Sequence, residues 1–217
     1  MTKVLGGRLI FIAASCVMIV VAGGGVAFIR RPVGALYLAF WVVWWVVTSL
    51  GRHIGAPSAY DKTQRVIVIV LSAVSVPVLV VAPAWEYANF AGPIPRDGPL
   101  AWTGLALFAT GIALQTGAMW ALYGMYTVRL GVQPGHYLVT SGPYRLVRHP
   151  GYLSYLVSMT GIGLALGSLV GLGLAILVVP FILWRIQHEE EMLSAEFGEE
   201  YRTYIQRTKW RLMPLVY

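Results

Sequence analysis

Two short stretches of this sequence concentrate the side chains able to do chemistry. The first, His136-Tyr-Leu-Val-Thr-Ser-Gly-Pro-Tyr-Arg-Leu-Val-Arg-His-Pro-Gly-Tyr152, is dense in donors, rings and turn formers. The second, Arg185-Ile-Gln-His-Glu-Glu-Glu191, sets an arginine and a histidine beside three consecutive carboxylates. Taken alone, the first stretch reads as an interfacial linker, its tyrosines in the aromatic belt and Arg145 and Arg148 on lipid phosphates. The second stretch tips the balance. An uncharged apolar segment separates the two, and if it folds back on itself both clusters return to one membrane face and meet. Arg185 and the first glutamates then stand at the end of an apolar helix, where an ionisable group costs free energy unless it is paired or functional. An Arg185 to Glu189 pair at i, i+4 would by itself only cap the helix end, worth a few tenths of a kcal/mol.

The remaining reactive side chains carry less. His53 stands beside Arg52 and is most simply solvated or headgroup-facing. His136, His149 and His188 near three glutamates raise the question of zinc, but no H-x-x-x-H or similar local pair is present, so no metal is expected. The lone cysteine, Cys16, lies in an apolar run; an intrachain disulfide is impossible.

The elements that must position these clusters are membrane helices. Of 217 residues 58% are hydrophobic and only 12% charged, against about 25% charged in a soluble domain. Four uncharged runs, 9–29, 33–50, 66–85 and 100–122, each approach the roughly 20 residues that cross a hydrocarbon core. A fifth, 152–184, is too long for one straight span. Glycines 161, 163, 167, 171 and 173 crowd its middle, which favours a helical hairpin turning near Gly167 to Gly171 over a single tilted helix with close packing. The tail beyond Gln187 contains six of the nine acids, and Leu193, Phe197, Tyr201 and Tyr204 sketch a short amphipathic helix broken or kinked at Gly198.

The expected fold is therefore an all-α integral membrane protein of about six membrane segments, the last two a hairpin, followed by a short amphipathic C-terminal helix. Residues 1–122 form four transmembrane helices, and 123–217 a connection, hairpin and tail. With both termini on one side, thirteen of the sixteen basic residues fall on that face and only Arg30, Arg31 and Arg96 on the other. The positive-inside rule places the termini and both clusters in the cytoplasm. The net charge of +7 is thus a topology signal, and no nucleic acid is expected. Nor does any feature call for an obligate protein partner. The first run, full-length and followed by Arg30-Arg31, reads as a retained segment rather than a removable signal peptide.

His136-x-Leu138-Val139-x-x-Gly142-Pro143-Tyr144, Arg148-His149-Pro150-x-Tyr152, the apolar hairpin, Glu189-Glu190 and Phe197-Gly198-x-x-Tyr201 together resemble the isoprenylcysteine carboxyl methyltransferase family of integral membrane enzymes. The likeness covers about residues 136–205; the first 122 residues match only as generic spans. The resemblance implies S-adenosyl-L-methionine as cofactor and a lipophilic small-molecule or lipid-modified acceptor entering from the membrane lipids. Carried over by position, His136, Leu138, Val139, Gly142, Pro143, Tyr144, His149, Pro150, Tyr152, Glu189 and Glu190 would line the cofactor site and Arg185 would face the acceptor. Two departures stand out: Ser154 where the family often has glycine, and Arg207-Thr208-Lys209 where it usually has Arg-Val-Pro.

These residue types suit methyl transfer, an in-line displacement helped by positioning and by exclusion of water. Glutamates such as Glu189 or Glu190 suit an ammonium, while His136, His149 or backbone N–H groups suit a carboxylate. A carboxylate acceptor needs no base and would be oriented by Arg185. A thiol or amine would need Glu189, His188 or His149. The competing expectations are an NADPH-dependent reductase of the sterol reductase type and a non-catalytic transporter or assembly protein; the tandem Glu189-Glu190 and Gly142-Pro143-Tyr144 speak against the first, the uncharged early runs against the second.

Overall fold

The computed structural model describes residues 2–50, 77–90, 92, 94–122, 137–214 and 216. His53, the turn at Gly55 to Ser58, the first part of the 66–85 run and His136 lie outside the described residues.

All described regular structure is helical. Helix α1 (Thr2–Ala22) is followed by a short α2 (Val26–Arg30) and by α3 (Pro32–Leu50). The 9–29 run is thus not one helix. It breaks where Gly24 and Gly25 adopt positive φ, a conformation open to glycine at little cost. A π-helical turn, Pro77–Val81, leads into α4 (Ala82–Asn89), and α5 spans Pro99–Ala121. A 3-10 turn at Gly142–Arg145 precedes α6 (Pro150–Ala165), which folds back into α7 (Leu169–Leu177) and then α8 (Val179–Arg207). Among the described residues two stretches are long and apolar enough to cross a membrane, Pro99–Ala121 and Leu169–Arg207; Leu9–Ala22 and Pro32–Thr48 are shorter apolar helices.

Aromatic rings fill the core beneath these helices. Phe28 stands edge-on to both Tyr37 and Tyr87, and Phe108 packs with Tyr37, Phe40 and Trp44. Two polar groups carried inward bond across helices: the indole N–H of Trp41 donates to Ser15 Oγ at 3.0 Å and the Tyr37 hydroxyl to the Val80 carbonyl at 3.3 Å.

Among the described elements helices α5 and α6 pack most extensively, and small residues make it so. A Cβ on Gly104 would lie 2.2 Å from the Ala165 nitrogen, and one on Gly161 2.5 Å from the Phe108 nitrogen. Side chains there would force the backbones apart, so the glycines permit the small-residue packing usual between membrane helices. Ser154 belongs to this seam. It is fully buried, and its hydroxyl lies 2.5 Å from Gln115 Oε1 and 2.6 Å from the Gly151 carbonyl oxygen, sharing its one proton between them, so the serine in place of glycine bonds α6 to α5.

The hairpin exists, and it closes at Leu166–Ser168, slightly earlier than the glycine pattern suggested. Gly167 takes φ +59, and the Ser168 hydroxyl accepts from Gly171 N at 2.8 Å, capping α7. Glu86, from α4, completes the cap by accepting from Leu169 N at 3.2 Å, Val170 N at 3.0 Å and the Ser168 hydroxyl. Gly171 and Gly173 therefore sit inside a helix, and Gly163 packs against Leu172. The tail follows the expected break. Within Val179–Arg207 two helical segments meet at Gly198, whose φ 49 and ψ −116 are non-helical, at the position where the sequence places a break or kink.

Candidate functional site

Packing brings the two polar stretches together. Ile182 and Ile186 of α8 are buried with Leu212 against Tyr152, Leu153 and Leu156 of α6. Three and four residues beyond Ile186, on the same helical face, stand Glu189 and Glu190. Pro150 occupies the first turn of α6, with His149 as the preceding residue, which delivers Arg148, His149 and Tyr152 to those carboxylates.

Glu190 is the hub. Its Oε1 accepts from Arg148 Nε at 2.8 Å and lies 3.3 Å from His149 Nε2, while Oε2 pairs with Arg211 Nε at 2.9 Å. Burial pushes the carboxyl's pKa up, yet hydrogen bonds from His149 and Arg148 and the Arg148 charge outweigh it, bringing Glu190 down to about 2. It is an anion at any physiological pH. The rest of the Arg148 fork goes to the tail: Nη1 donates to the carbonyls of Thr208 at 2.9 Å and Lys209 at 3.0 Å.

Glu189 heads a second chain of bonds. The Tyr152 hydroxyl donates to Glu189 Oε2 at 2.8 Å and accepts from Arg185 Nε at 2.7 Å. Tyr152 thereby links the arginine to the carboxylate that the i, i+4 spacing would have paired directly. Glu189 is about a third exposed and stands 3.8 Å from His149 Nδ1. Tyr144 lies close by; burial, then the Glu189 charge, hold its phenol well above the ordinary range, so it remains a neutral donor.

The tail departs from the expected family pattern and docks by its backbone. Arg148 N donates to Trp210 O and His149 N to Arg211 O, both at 2.9 Å. The Tyr204 hydroxyl donates to the Tyr144 carbonyl at 2.8 Å. Tyr201 is buried nearby with a hydroxyl that has no hydrogen-bond partner among the described residues.

Of the residues named from sequence, Tyr144, His149, Pro150, Tyr152, Arg185, Glu189 and Glu190 converge here. Gly142 and Pro143 form the adjoining turn, Pro143 resting against Gly117 at the end of α5. Leu138 is half-buried and Val139 buried in the preceding coil; among the described residues neither hydrogen-bonds to the carboxylates. His188 lies outward, its Nδ1 2.9 Å from the Trp184 carbonyl oxygen. Among the described residues no group of His, Cys, Asp and Glu is arranged to hold a metal. Sequence reasoning gave Arg148, Tyr201, Tyr204 and Arg211 no part in the site. Arg148 had a visible signal, since it opens the Arg-His-Pro-x-Tyr motif; Arg211 had none, because only the fold of the tail brings it to Glu190.

A family model described as phospholipid methyltransferase matches residues 100–200. A probable protein-S-isoprenylcysteine O-methyltransferase of Oryza sativa subsp. indica is 34% identical over 87 residues, covering 38% of this chain and 44% of that protein. The protein-S-isoprenylcysteine O-methyltransferase of Schizosaccharomyces pombe is 40% identical over 70 residues, or 32% of this chain and 30% of that one. The chain thus spans less than half the length of these relatives. The solved structure of a eukaryotic intramembrane Ras methyltransferase, an isoprenylcysteine carboxyl methyltransferase, superposes with TM-score 0.61 at 20% identity, over 96% of this chain and 77% of that one. The motif resemblance to the isoprenylcysteine carboxyl methyltransferase family is met both by sequence relatives and by a shared fold, and the residues matched by the family model include Glu189 and Glu190.

Proposed function

We propose that this chain is an S-adenosylmethionine-dependent methyltransferase acting on a lipophilic or membrane-embedded acceptor, foremost the carboxylate of a prenylcysteine-like compound. The observation that carries the reading is the Arg185–Tyr152–Glu189 chain of hydrogen bonds beside the Glu190 hub, at one end of an apolar hairpin.

The residues present fit such a cofactor. Glu189 keeps carboxylate capacity for an ammonium, and Tyr144, Tyr152 and the unpartnered Tyr201 hydroxyl offer neutral donors and ring faces. Both Glu190 oxygens are already engaged, so its part is to hold Arg148, His149 and Arg211 in place. When bound, the cofactor supplies a methyl group on a sulfonium. Arg185 orients the acceptor carboxylate, which is ionised at neutral pH and requires no general base. Hydrophobic walls from α6 and α8 exclude water from the reacting atoms. His136, the Leu138–Val139 backbone, Gly142, Pro143 and Pro150 complete the proposed cofactor lining.

Residues 1–122 serve as scaffold and acceptor access, and 123–217 as the cofactor region. About six membrane segments, with termini and site on the cytoplasmic side, agree with the basic residues crowded on that face.

Calorimetry on the detergent-purified protein tests the reading. Micromolar binding of S-adenosylmethionine or S-adenosylhomocysteine is expected, lost in Glu189→Ala, Glu190→Ala and His149→Ala. Heat with NADPH and none with either sulfur compound would overturn it in favour of a reductase.

A further inference from the structure

A buried polar pair lies on the side of α6 turned away from Arg185 and Glu189. Gln115, in the apolar run of α5, is 1% exposed, and Ser154 is wholly buried. The Ser154 hydroxyl lies 2.5 Å from Gln115 Oε1 and 2.6 Å from the Gly151 carbonyl oxygen. That carbonyl belongs to the peptide bonded to Tyr152. Polar groups taken into an apolar helix seam cost free energy unless they bond each other, and the rest of the seam holds by backbone contact instead. A Cβ on Gly104 or Gly161 would lie 2.2 or 2.5 Å from the backbone of the other helix, whereas one on Gly151 would meet only Gln115 Oε1, at 4.0 Å. Steric contact is therefore loose at the first turn of α6, and the hydrogen bond takes over there.

We propose that Gln115 and Ser154 are positioning residues for methyl transfer: together they fix the rotation of the first turn of α6, and through it the Tyr152 hydroxyl that joins Arg185 to Glu189. The proposal rests on the methyltransferase reading of the site. At about 100° per residue Tyr152 points about 160° away from Ser154, so α5 holds one side of the turn while the other side meets α8. Both bonds at the Tyr152 hydroxyl are short, 2.7 Å from Arg185 Nε and 2.8 Å to Glu189 Oε2. This hydroxyl stands at the end of a long side chain, so a small roll of α6 moves it further than the backbone. A shift of about 0.5 Å takes both bonds to the outer edge of the usual range, and a misplacement of about 1 Å can cost about 100-fold in rate. A glycine at position 154, usual in the family that the motifs resemble, has no hydroxyl to make this link; here the serine meets an acceptor of its own in Gln115.

The test compares Gln115→Met, Ser154→Ala, the two combined, and Tyr152→Phe in the full detergent-purified chain. Melting, calorimetry with S-adenosylhomocysteine, and methylation of N-acetyl-S-farnesylcysteine are measured for each. Replacing both partners of a buried hydrogen bond by apolar groups is nearly neutral for stability, whereas removing one is not, so the combined variant should melt like the wild type. Its kcat should still fall about tenfold, with affinity for S-adenosylhomocysteine changed less than about twofold. Ser154→Ala, which leaves Gln115 in place, should lower kcat by the same factor. Added to Tyr152→Phe, the combined substitutions should cost less than about twofold more, because both act through one hydroxyl. Independently of turnover, 3-fluorotyrosine in place of Tyr152 should give one fluorine resonance, shifted or split in the combined variant. Wild-type kcat in the combined variant, rates that simply follow melting temperature across the set, or an unmoved fluorine resonance overturns the proposal. A wild-type protein that neither binds S-adenosylhomocysteine nor methylates the probe overturns the methyltransferase reading instead, and the fluorine resonance then decides by itself whether the pair positions Tyr152.

Discussion

Arg148 and Glu190, forty-two residues apart in the chain, are joined at 2.8 Å from Nε to Oε1 with both side chains almost wholly withdrawn from solvent. The pair ties the start of α6 to the polar half of α8. Arg148 further grips the tail through Thr208 and Lys209. Removing one member of a buried ion pair leaves an uncompensated charge, at a cost of roughly 3–5 kcal/mol. Arg148→Ala and Glu190→Ala should therefore lower the melting temperature sharply, measured by light scattering or fluorescence in detergent. A shift as small as that of an exposed control such as Arg202→Ala would refute the hub.

The same carboxyl predicts an acid limit. A group held at about 2 in the fold, against its ordinary 4.5, contributes stability that is fully present above about 4.5 and lost as pH falls through the folded value. The amount at neutral pH is on the order of 3 kcal/mol. Stability should fall between pH 4.5 and 2, and Glu190→Gln should flatten that part of the profile. An unchanged slope in the variant would show that other carboxyls set the limit.

Tyr152 predicts a split between binding and turnover. Its hydroxyl is the joint between Arg185 and Glu189, and hydrogen bonds to charged groups are worth roughly 1.5–3 kcal/mol. Tyr152→Phe should reduce methyl transfer about 10- to 100-fold while the ring still packs. Arg185→Ala should retain S-adenosylmethionine binding and lose turnover. Parallel loss of both in Arg185→Ala would move Arg185 into the cofactor site.

The α5–α6 seam predicts intolerance of even one carbon. Gly104→Ala would put a Cβ 2.2 Å from the Ala165 nitrogen, and forcing extra atoms into a packed core costs typically about 1–3 kcal/mol. Thermal melting should show that loss, whereas Gly173→Ala, with open space around it, should be neutral or better.

Gly198 predicts a conformational effect without a clash. Nothing lies within 4 Å of a Cβ there, yet φ 49 and ψ −116 form a sparsely populated conformation that costs an L-residue on the order of 1–3 kcal/mol. Gly198→Ala should favour a straight helix, pulling Tyr201 and Tyr204 from their buried places and weakening cofactor binding. Proteolysis of the tail, followed against time, would reveal its release; an unaltered digestion pattern would count against the bend as a requirement.

The class of the molecule, its helical content and the neighbourhood of the site were legible in the sequence, because scarcity of charge makes apolar runs plain and the few polar residues cluster. Pro150 marking the start of α6 and the glycines crowding the 152–184 run pointed to the hairpin that puts Tyr152 and Glu189 on one face. Other features belonged to the fold alone. Periodicity cannot say that Tyr152 stands between Arg185 and Glu189, that Glu190 is saturated by three donors while Glu189 is not, or that Arg211 reaches back to the hub. Ser154 could be seen as a departure, but only the partner helix shows that its hydroxyl bonds Gln115. Local signals depend on residues a turn or two apart, whereas these contacts join side chains 21 to 42 residues apart, and their geometry is set by how closely glycine-lined helices can approach.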